Sequence, residues 1–348
     1  ELTRGLEHPW GADWLPDGAG LLITERPGRL RLFADCTLRP APITGVPPVL
    51  AVGQGGLLDI ALHPDFIDNR LVYFTAVTGS EEANRTTLFR AMLNDTLAEL
   101  TDIEEIYRVS RDKTGSQHFG SVIEWLPDGS LLLSIGDGGN PPISLDGEAI
   151  RRQAQNRETA FGAVLRMLDD GTPHPDNPFA GGAGDAPFIY TFGHRNVQGL
   201  ALRPGTDEVW ATEHGSRGGD ELNKLEPGAD YAWPDATYSV EYWGLAIADA
   251  ATKPGARDPH VVWTPALAPC GLVFYTGDGF PDWKGDLLAS GLVSQQVRRL
   301  HFSDAGTIEG HTTLQFAERM RWVGVGPDGG LFALTDAPNG ALLRIDPE

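Results

Sequence analysis

The chain has only two cysteines in 348 residues, Cys36 and Cys270, and they lie far apart. Two buried free thiols are expected, with a single bridge between them as the alternative. No run of 18 apolar residues occurs, so no membrane-spanning helix is expected. Lysine is scarce: of 27 basic residues only four are lysine, against 48 acidic ones and a net charge of −21. That balance argues against a nucleic-acid partner, whose affinity rests on neutralising phosphates. It suits a soluble protein, and one that takes up cations. Several motifs are also missing. No G-x-G-x-x-G leads from a strand into a helix, no H-E-x-x-H or C-x-x-C occurs, and no G-x-S-x-G elbow occurs. Nicotinamide or flavin binding, zinc chemistry and serine hydrolysis thus lack support.

What is abundant is glycine (43) and proline (26), spread through turns rather than gathered in a linker. One phrase recurs: an apolar strand, a turn of Pro, Asp and Gly, then a second apolar strand. It reads ADWLPDGAGLLITE at 12–25, DIALHPDFIDNRLVYFTA at 59–76 and VIEWLPDGSLLLSIGD at 122–137. It returns as GLALRPGTDEVWATEHG at 199–215, GLVFYTGDGFPDWKGDLLASG at 271–291 and VGVGPDGGLFALTD at 323–336. Each copy predicts a β-hairpin, because Pro presets one corner and Gly supplies a positive φ. A long-period repeat of strand pairs predicts a propeller, in which each unit packs against its neighbours. The expectation is one all-β domain over 1–348, a six-bladed β-propeller of four-stranded antiparallel blades. The stretch from Pro141 to Phe188 reads as an insertion beyond the repeat, starting as a short helix within 149–167.

Aligned on their turns, the copies place unusual polar residues at one end of the axis. Gln54, His118, Arg195, Asn196, Arg319 and Arg321 precede their turns, with His8, Trp10 and Cys270 at matching places. Glu25, Asp137, Glu213, His214 and Asp336 return to the same end. His118 and Asp137 are nearly equidistant from their turn and are expected to face each other, the carboxylate fixing the tautomer of a basic imidazole. A structural His–Asp bond at a strand end is the plainer alternative. Arg319 and Arg321, two apart on a strand, point the same way and call for a planar polyanion or for inter-blade carboxylates. The loop Glu213-His-Gly-Ser-Arg-Gly-Gly-Asp-Glu221 offers carbonyls and carboxylates of the kind Ca²⁺ takes, or is a tight surface turn.

These residues carry a resemblance. GQGGLLDIALHPDF at 53–66, HFGSVIEWLPDGSLLLSIGDGGN at 118–140 and FGAVLRMLDDGTPHPDNPF at 161–179 are part of it. FGHRNVQGLALRPGTDEVWATEHGSRGGDELNKLEPGADYAWP at 192–234 and RMRWVGVGPDGGLFALTD at 319–336 complete it. Over nearly its whole length the chain resembles the soluble aldose sugar dehydrogenases that use pyrroloquinoline quinone (PQQ), relatives of quinoprotein glucose dehydrogenase. The resemblance implies oxidation of an aldose at its anomeric carbon to a lactone, with His118 as general base and Asp137 orienting it. It implies that Gln54, Arg195, Asn196, Arg319 and Arg321 surround cofactor and sugar, with Tyr242, Trp243 and Gly244 on a contacting loop. It implies Ca²⁺ held by carbonyls of Gly215 and Ser216, and a second ion at Glu221 and Tyr231. The segment GLVSQQVRRL at 291–300 departs from the glucose branch, with Val293 near the place of its cofactor lysine. The glutamine that follows the Gly-Asp motif in that branch has no obvious counterpart in GDGGN, and Gln117 replaces an acidic residue.

The expected partners are a sugar and an external electron acceptor, with no nucleic acid and no membrane span, for a monomer or homodimer. The start at Glu1 without Met fits an exported protein, periplasmic or secreted, or a trimmed chain. Two other readings compete: a calcium-dependent lactonase on a similar propeller, against which the paired arginines speak, and a non-catalytic binding propeller.

Overall fold

The computed structural model describes residues 1–303 and 305–347. It is a ring of six four-stranded antiparallel sheets. Blade 1 comprises Pro9–Leu15, Gly20–Glu25, Arg29–Ala34 and Thr37–Leu38. Blade 2 comprises Leu57–Leu62, Leu71–Gly79, Asn84–Leu93 and Leu100–Arg108. Blade 3 comprises Ile123–Trp125, Leu131–Ile135, Ala163–Met167 and Ile189–Phe192. Blade 4 comprises Val197–Leu202, Val209–Glu213, Asp220–Leu225 and Val261–Trp263. Blade 5 comprises Pro269–Phe274, Leu287–Gly291, Gln296–Phe302 and Ile308–Gln315. Blade 6 joins Met320–Val325, Leu331–Thr335 and Gly340–Ile345 to the early strand Thr3–Leu6, so both ends of the chain share one sheet. No helix is long and apolar enough to cross a membrane among the described residues.

Each repeat copy forms the two innermost strands of a blade, and the first strands run side by side round the axis. The core is divided accordingly. One apolar cluster joins Leu22, Leu32 and Ile60 of blades 1 and 2; another joins Leu88, Leu133 and Leu165 of blades 2 and 3. Blades 4 and 5 meet at Trp210, Leu222 and Leu287, and blades 6 and 1 at Leu334, Leu342 and Leu21. Hydroxyls stitch the same seams. Thr75 Oγ1 donates to the Ser121 carbonyl at 2.8 Å, Ser134 Oγ to Val197 at 3.2 Å, Thr212 Oγ1 to Cys270 at 3.3 Å and Ser290 Oγ to Arg321 at 3.0 Å.

Three details differ from the sequence expectation. The second turn is a short helix, Phe66–Asn69, closed by Arg70 at φ 60°, where other copies use glycine, as Gly129 does at φ 82°. The segment after Pro141 is only partly an insertion. Two short strands, Ser144–Leu145 and Glu148–Ala149, and the 3-10 helix Ile150–Gln155 are added, but Ala163–Met167 is blade 3's own third strand, with Leu165 opposite Leu133. Cys270 is buried as expected, whereas Cys36 is exposed and both thiols are free. Asp35 and Cys36 have φ of 51° and 56°, the two left-handed corners of a tight hairpin at the rim of blade 1.

Candidate active site

Pairing between the first two strands breaks at the same end in five blades. The register shifts fall at Pro9/Ala12, Leu57/Ile60, Val197/Gly199, Pro269/Leu272 and Met320/Trp322. Such bulges bend a strand and re-aim its side chains. Blade 3 uses left-handed backbone instead, with φ of 53° at His118, 63° at Gly120 and 86° at Ser121. The strands therefore open into a mouth lined by Trp10, Arg26, Gln54, Asn196, His214, Arg319, Arg321 and Asp336, among others.

His118, 4% exposed, lies just behind the mouth's lining residues Phe119 and Gly120. Its Nδ1 bonds Asp137 Oδ1 at 2.7 Å. The Asp137 carboxylate also accepts the Gly139 N–H at 2.9 Å and the Trp233 indole N–H at 2.8 Å. These contacts to a fully buried carboxylate hold the imidazole with Nδ1 on Asp137 and leave Nε2 on the opposite edge of the ring. Burial, then the Arg195 guanidinium, holds the His118 pKa below the usual histidine range, which favours the neutral ring. The His118 backbone N–H donates to Gln54 Oε1 at 2.8 Å, so Gln54 holds the base in place as well as lining the mouth.

A chain of hydrogen bonds ties His118 to the Gly215 turn. Asn140 Nδ2 lies 3.4 Å from His118 Nε2, and Asn140 Oδ1 accepts Arg195 Nη2 at 2.9 Å. Arg195 Nη1 donates to the His214 carbonyl at 3.0 Å. Asn196 turns inward and accepts the Gly120 N–H at 3.1 Å. The bulge separates the two arginines that were expected to act alike. Arg321 is buried over Trp10, 4.1 Å from the ring centroid, and donates to Gln198 Oε1 at 2.9 Å and Cys270 Sγ at 3.3 Å. Arg319 sits at the rim, its side chain 46% exposed and 3.4 Å from Asp336. Burial pushes the Cys270 thiol up to about 11 and the His214 imidazole down to about 3.

An open, mostly apolar cleft adjoins the mouth at His214, lined by Gly215, Ser216, Tyr242, Thr264 and Val293. Trp243 and Gly244 do not line it; they form the tip of the turn after Glu241, with Trp243 59% exposed. Glu241 is anchored by Arg151 at 2.8 Å.

The residues present fit both implied groups. For a polycarboxylate quinone, guanidiniums gather at the mouth and Arg195 Nε lies buried without a partner. For Ca²⁺, Glu213 and Glu221 are cross-strand partners, and a cavity of about 10 Å³ brings both together with Gly215 and Tyr231. That is room for one water-sized species. Burial and then Glu213 push the Glu221 carboxyl well up, a cost a divalent ion would offset. The Tyr231 phenol already donates to the Lys224 carbonyl at 2.6 Å, so a ligand role falls to its backbone. Ser216 Oγ is buried without a partner. Among the described residues no three His, Cys, Asp or Glu side chains form a metal cluster, so a cation here depends on carbonyls.

Sequence reading missed Asn140, Trp233, Gln198, Arg26 and Lys113. Asn140 was three residues from Asp137 in GDGGN, but Trp233 is 96 residues from the carboxylate it bonds, and no local pattern joins them.

Comparison with known proteins finds relatives over the whole chain. A glucose/sorbosone dehydrogenase family model matches residues 6–344. An aldose sugar dehydrogenase of Escherichia coli strain K12 is 35% identical, over 99% of this chain and 92% of its own. A crystal structure of a glucose dehydrogenase superposes with a TM-score of 0.93 at 38% identity, covering 100% of this chain and 99% of that one. The PQQ-bound aldose sugar dehydrogenase of Streptomyces coelicolor superposes with a TM-score of 0.80 at 27% identity, covering 99% and 96%.

Proposed function

The chain belongs to the glucose/sorbosone dehydrogenase family, and on that premise we propose that it oxidises an aldose at its anomeric carbon to the lactone, using PQQ with Ca²⁺. The observation that carries this reading is a neutral, buried His118 whose Nδ1 is locked to Asp137 while Nε2 stays available beside the arginine-lined mouth. When bound, the quinone would supply the acceptor for the hydride leaving the sugar's C1. Arg319, Arg321 and Arg26 would hold its carboxylates, and Tyr242 would flank it. The Gly215 and Ser216 carbonyls would hold the Ca²⁺ that polarises it. Glu221 and the Tyr231 backbone would hold the second ion.

His118 Nε2 takes the proton of the anomeric hydroxyl as C1 becomes a carbonyl. Asp137 stabilises the imidazolium that forms, and Trp233 and Gly139 keep that carboxylate from turning away. Asn140, bridged to Arg195, stands where a sugar oxygen near Nε2 finds a donor. An external acceptor then reoxidises the site. A location in the periplasm or outside the cell fits such an acceptor.

The test is reconstitution with quinone and Ca²⁺, then dye reduction across mono- and disaccharides. His118→Ala is expected to abolish turnover, by roughly a hundredfold or more, while quinone absorbance still titrates onto the protein. Near-normal turnover in that variant would remove His118 as the base.

A further inference from the structure

Close to the dyad lies a second buried cation. Lys113 is 4% exposed. Its backbone pairs in both directions with the fully buried Asn84, at 2.9 Å each way. Asn84 Nδ2 also donates to the Gly115 carbonyl at 3.0 Å, so the segment leading to His118 is stapled down. The lysine stem runs along the backbone that follows Asp137: a Cβ on Gly138 would stand 3.3 Å from Lys113 Cδ. The amine sits over the ring of Phe119, next in sequence to His118, 4.0 Å from its centroid. Among the described residues its one hydrogen-bond acceptor is the Gly115 carbonyl, at a long 3.3 Å. A buried ammonium has three donors to satisfy and pays heavily when it finds only one weak acceptor. A lysine so placed is expensive for stability, and a methionine would fill the space more cheaply.

We propose that Lys113 is a positioning residue for the oxidation: its amine, seated over Phe119 on a stem that packs beside Gly138, sets the charge against which His118 takes its proton. This rests on His118 being the base. The charged groups around the dyad are Asp137, Arg195 and Lys113, with the neutral His214 beyond Arg195. As ammonium, Lys113 balances the Asp137 carboxylate and opposes protonation of His118. As amine, it leaves the dyad with a net negative charge and a stronger base. Burial pulls the Lys113 pKa down to about 7, so both states occur near neutrality.

The test is NMR titration of the cofactor-free protein, which reads Lys113 whether or not any sugar is oxidised. With only four lysines in the chain, ¹³Cε labelling resolves each one. Lys113 is expected to titrate near 7, and the Trp233 indole N–H, bonded to Asp137, to show an inflection at the same pH. In Lys113→Arg the inflection near 7 disappears and His118 stays depressed, because arginine keeps its charge. In Lys113→Met the inflection disappears and His118 titrates about one unit higher. A Lys113 midpoint above 9.5, or an unchanged His118 titration in both variants, would overturn the proposal. The wild-type measurement decides even if a variant fails to fold. A coupled titration in a protein that reduces no dye with any aldose would sink the activity while leaving the Lys113–dyad coupling intact.

Discussion

The axial channel has two ends of opposite chemistry, divided by Trp10, Gln198 and Arg321, which line the cavities on both sides. The mouth gathers bases, Arg26, Arg319, Arg321 and His214, with His118 next to its lining residue Phe119. The far chamber, near the hairpin turns, gathers acids on three successive inner strands, Asp13 and Glu124 three residues before their turn prolines and Asp59 five. Asp13 Oδ2 accepts the Leu62 N–H at 2.8 Å, Asp59 Oδ2 the Ile123 N–H at 2.8 Å and Glu124 Oε1 the Leu202 N–H at 3.0 Å. Each carboxyl thus binds the inner strand of the next blade. Burial pushes these carboxyls up, to about 6, 7 and 8 in turn. The comparison separates two uses of a buried charge. At the mouth, polar groups face a space that a ligand can enter. In the chamber, they close the ring.

The sharpest way to break this contrast is Asp137→Asn. If the mouth dyad serves chemistry, turnover of the reconstituted protein falls by roughly a hundredfold or more, with quinone affinity nearly kept. A variant that loses stability but keeps turnover would make Asp137 one more ring-closing carboxyl.

The two ends should also answer pH with opposite signs. His118 and His214 have lowered pKa values when folded. The stability they contribute is complete above the unfolded value of about 6.5 and is lost as pH falls through their folded values. Asp13, Asp59 and Glu124 have raised values, so their contribution is complete below about 4 and is lost as pH rises through their folded ones. Asp59→Asn keeps an acceptor for Ile123 but cannot ionise. It is expected to flatten the decline in stability between pH 5 and pH 8, by at most about 3 kcal/mol. Denaturant unfolding at both pH values checks this, and an unchanged decline would remove Asp59 as its source.

Much of this was legible in the sequence, and the reason is periodicity. Six strand–turn–strand copies imply a ring, and a ring brings Gln54, His118, Arg195 and Arg321 to one end without any knowledge of loops. The His118–Asp137 bond followed from equal distance to a turn. Trp233 and Lys113 were not legible, because each meets the dyad from a loop outside the repeat. The acids of the chamber were hidden for a different reason. Asp13, Asp59 and Glu124 read as ordinary strand residues, and only their contact with the next blade gives them a role. Arg319 and Arg321 misled in part, since strict alternation does not survive a bulge.

The smallest effect compares two stitches in one seam. Between blades 2 and 3, Thr75 Oγ1 accepts the Asp59 N–H at 2.9 Å and donates to the Ser121 carbonyl at 2.8 Å. Asp59 spans the same seam to Ile123 through its side chain. Thr75→Val keeps the shape and strands one donor and one acceptor, so the cost is about 1–2 kcal/mol. A hydroxyl does not titrate in this range. The loss should therefore be equal at pH 5 and pH 8, where that of Asp59→Asn is not. A pH-dependent loss in Thr75→Val would mean that the hydroxyl and the carboxyl act as one unit, and the division between neutral and ionisable stitches would dissolve at this seam.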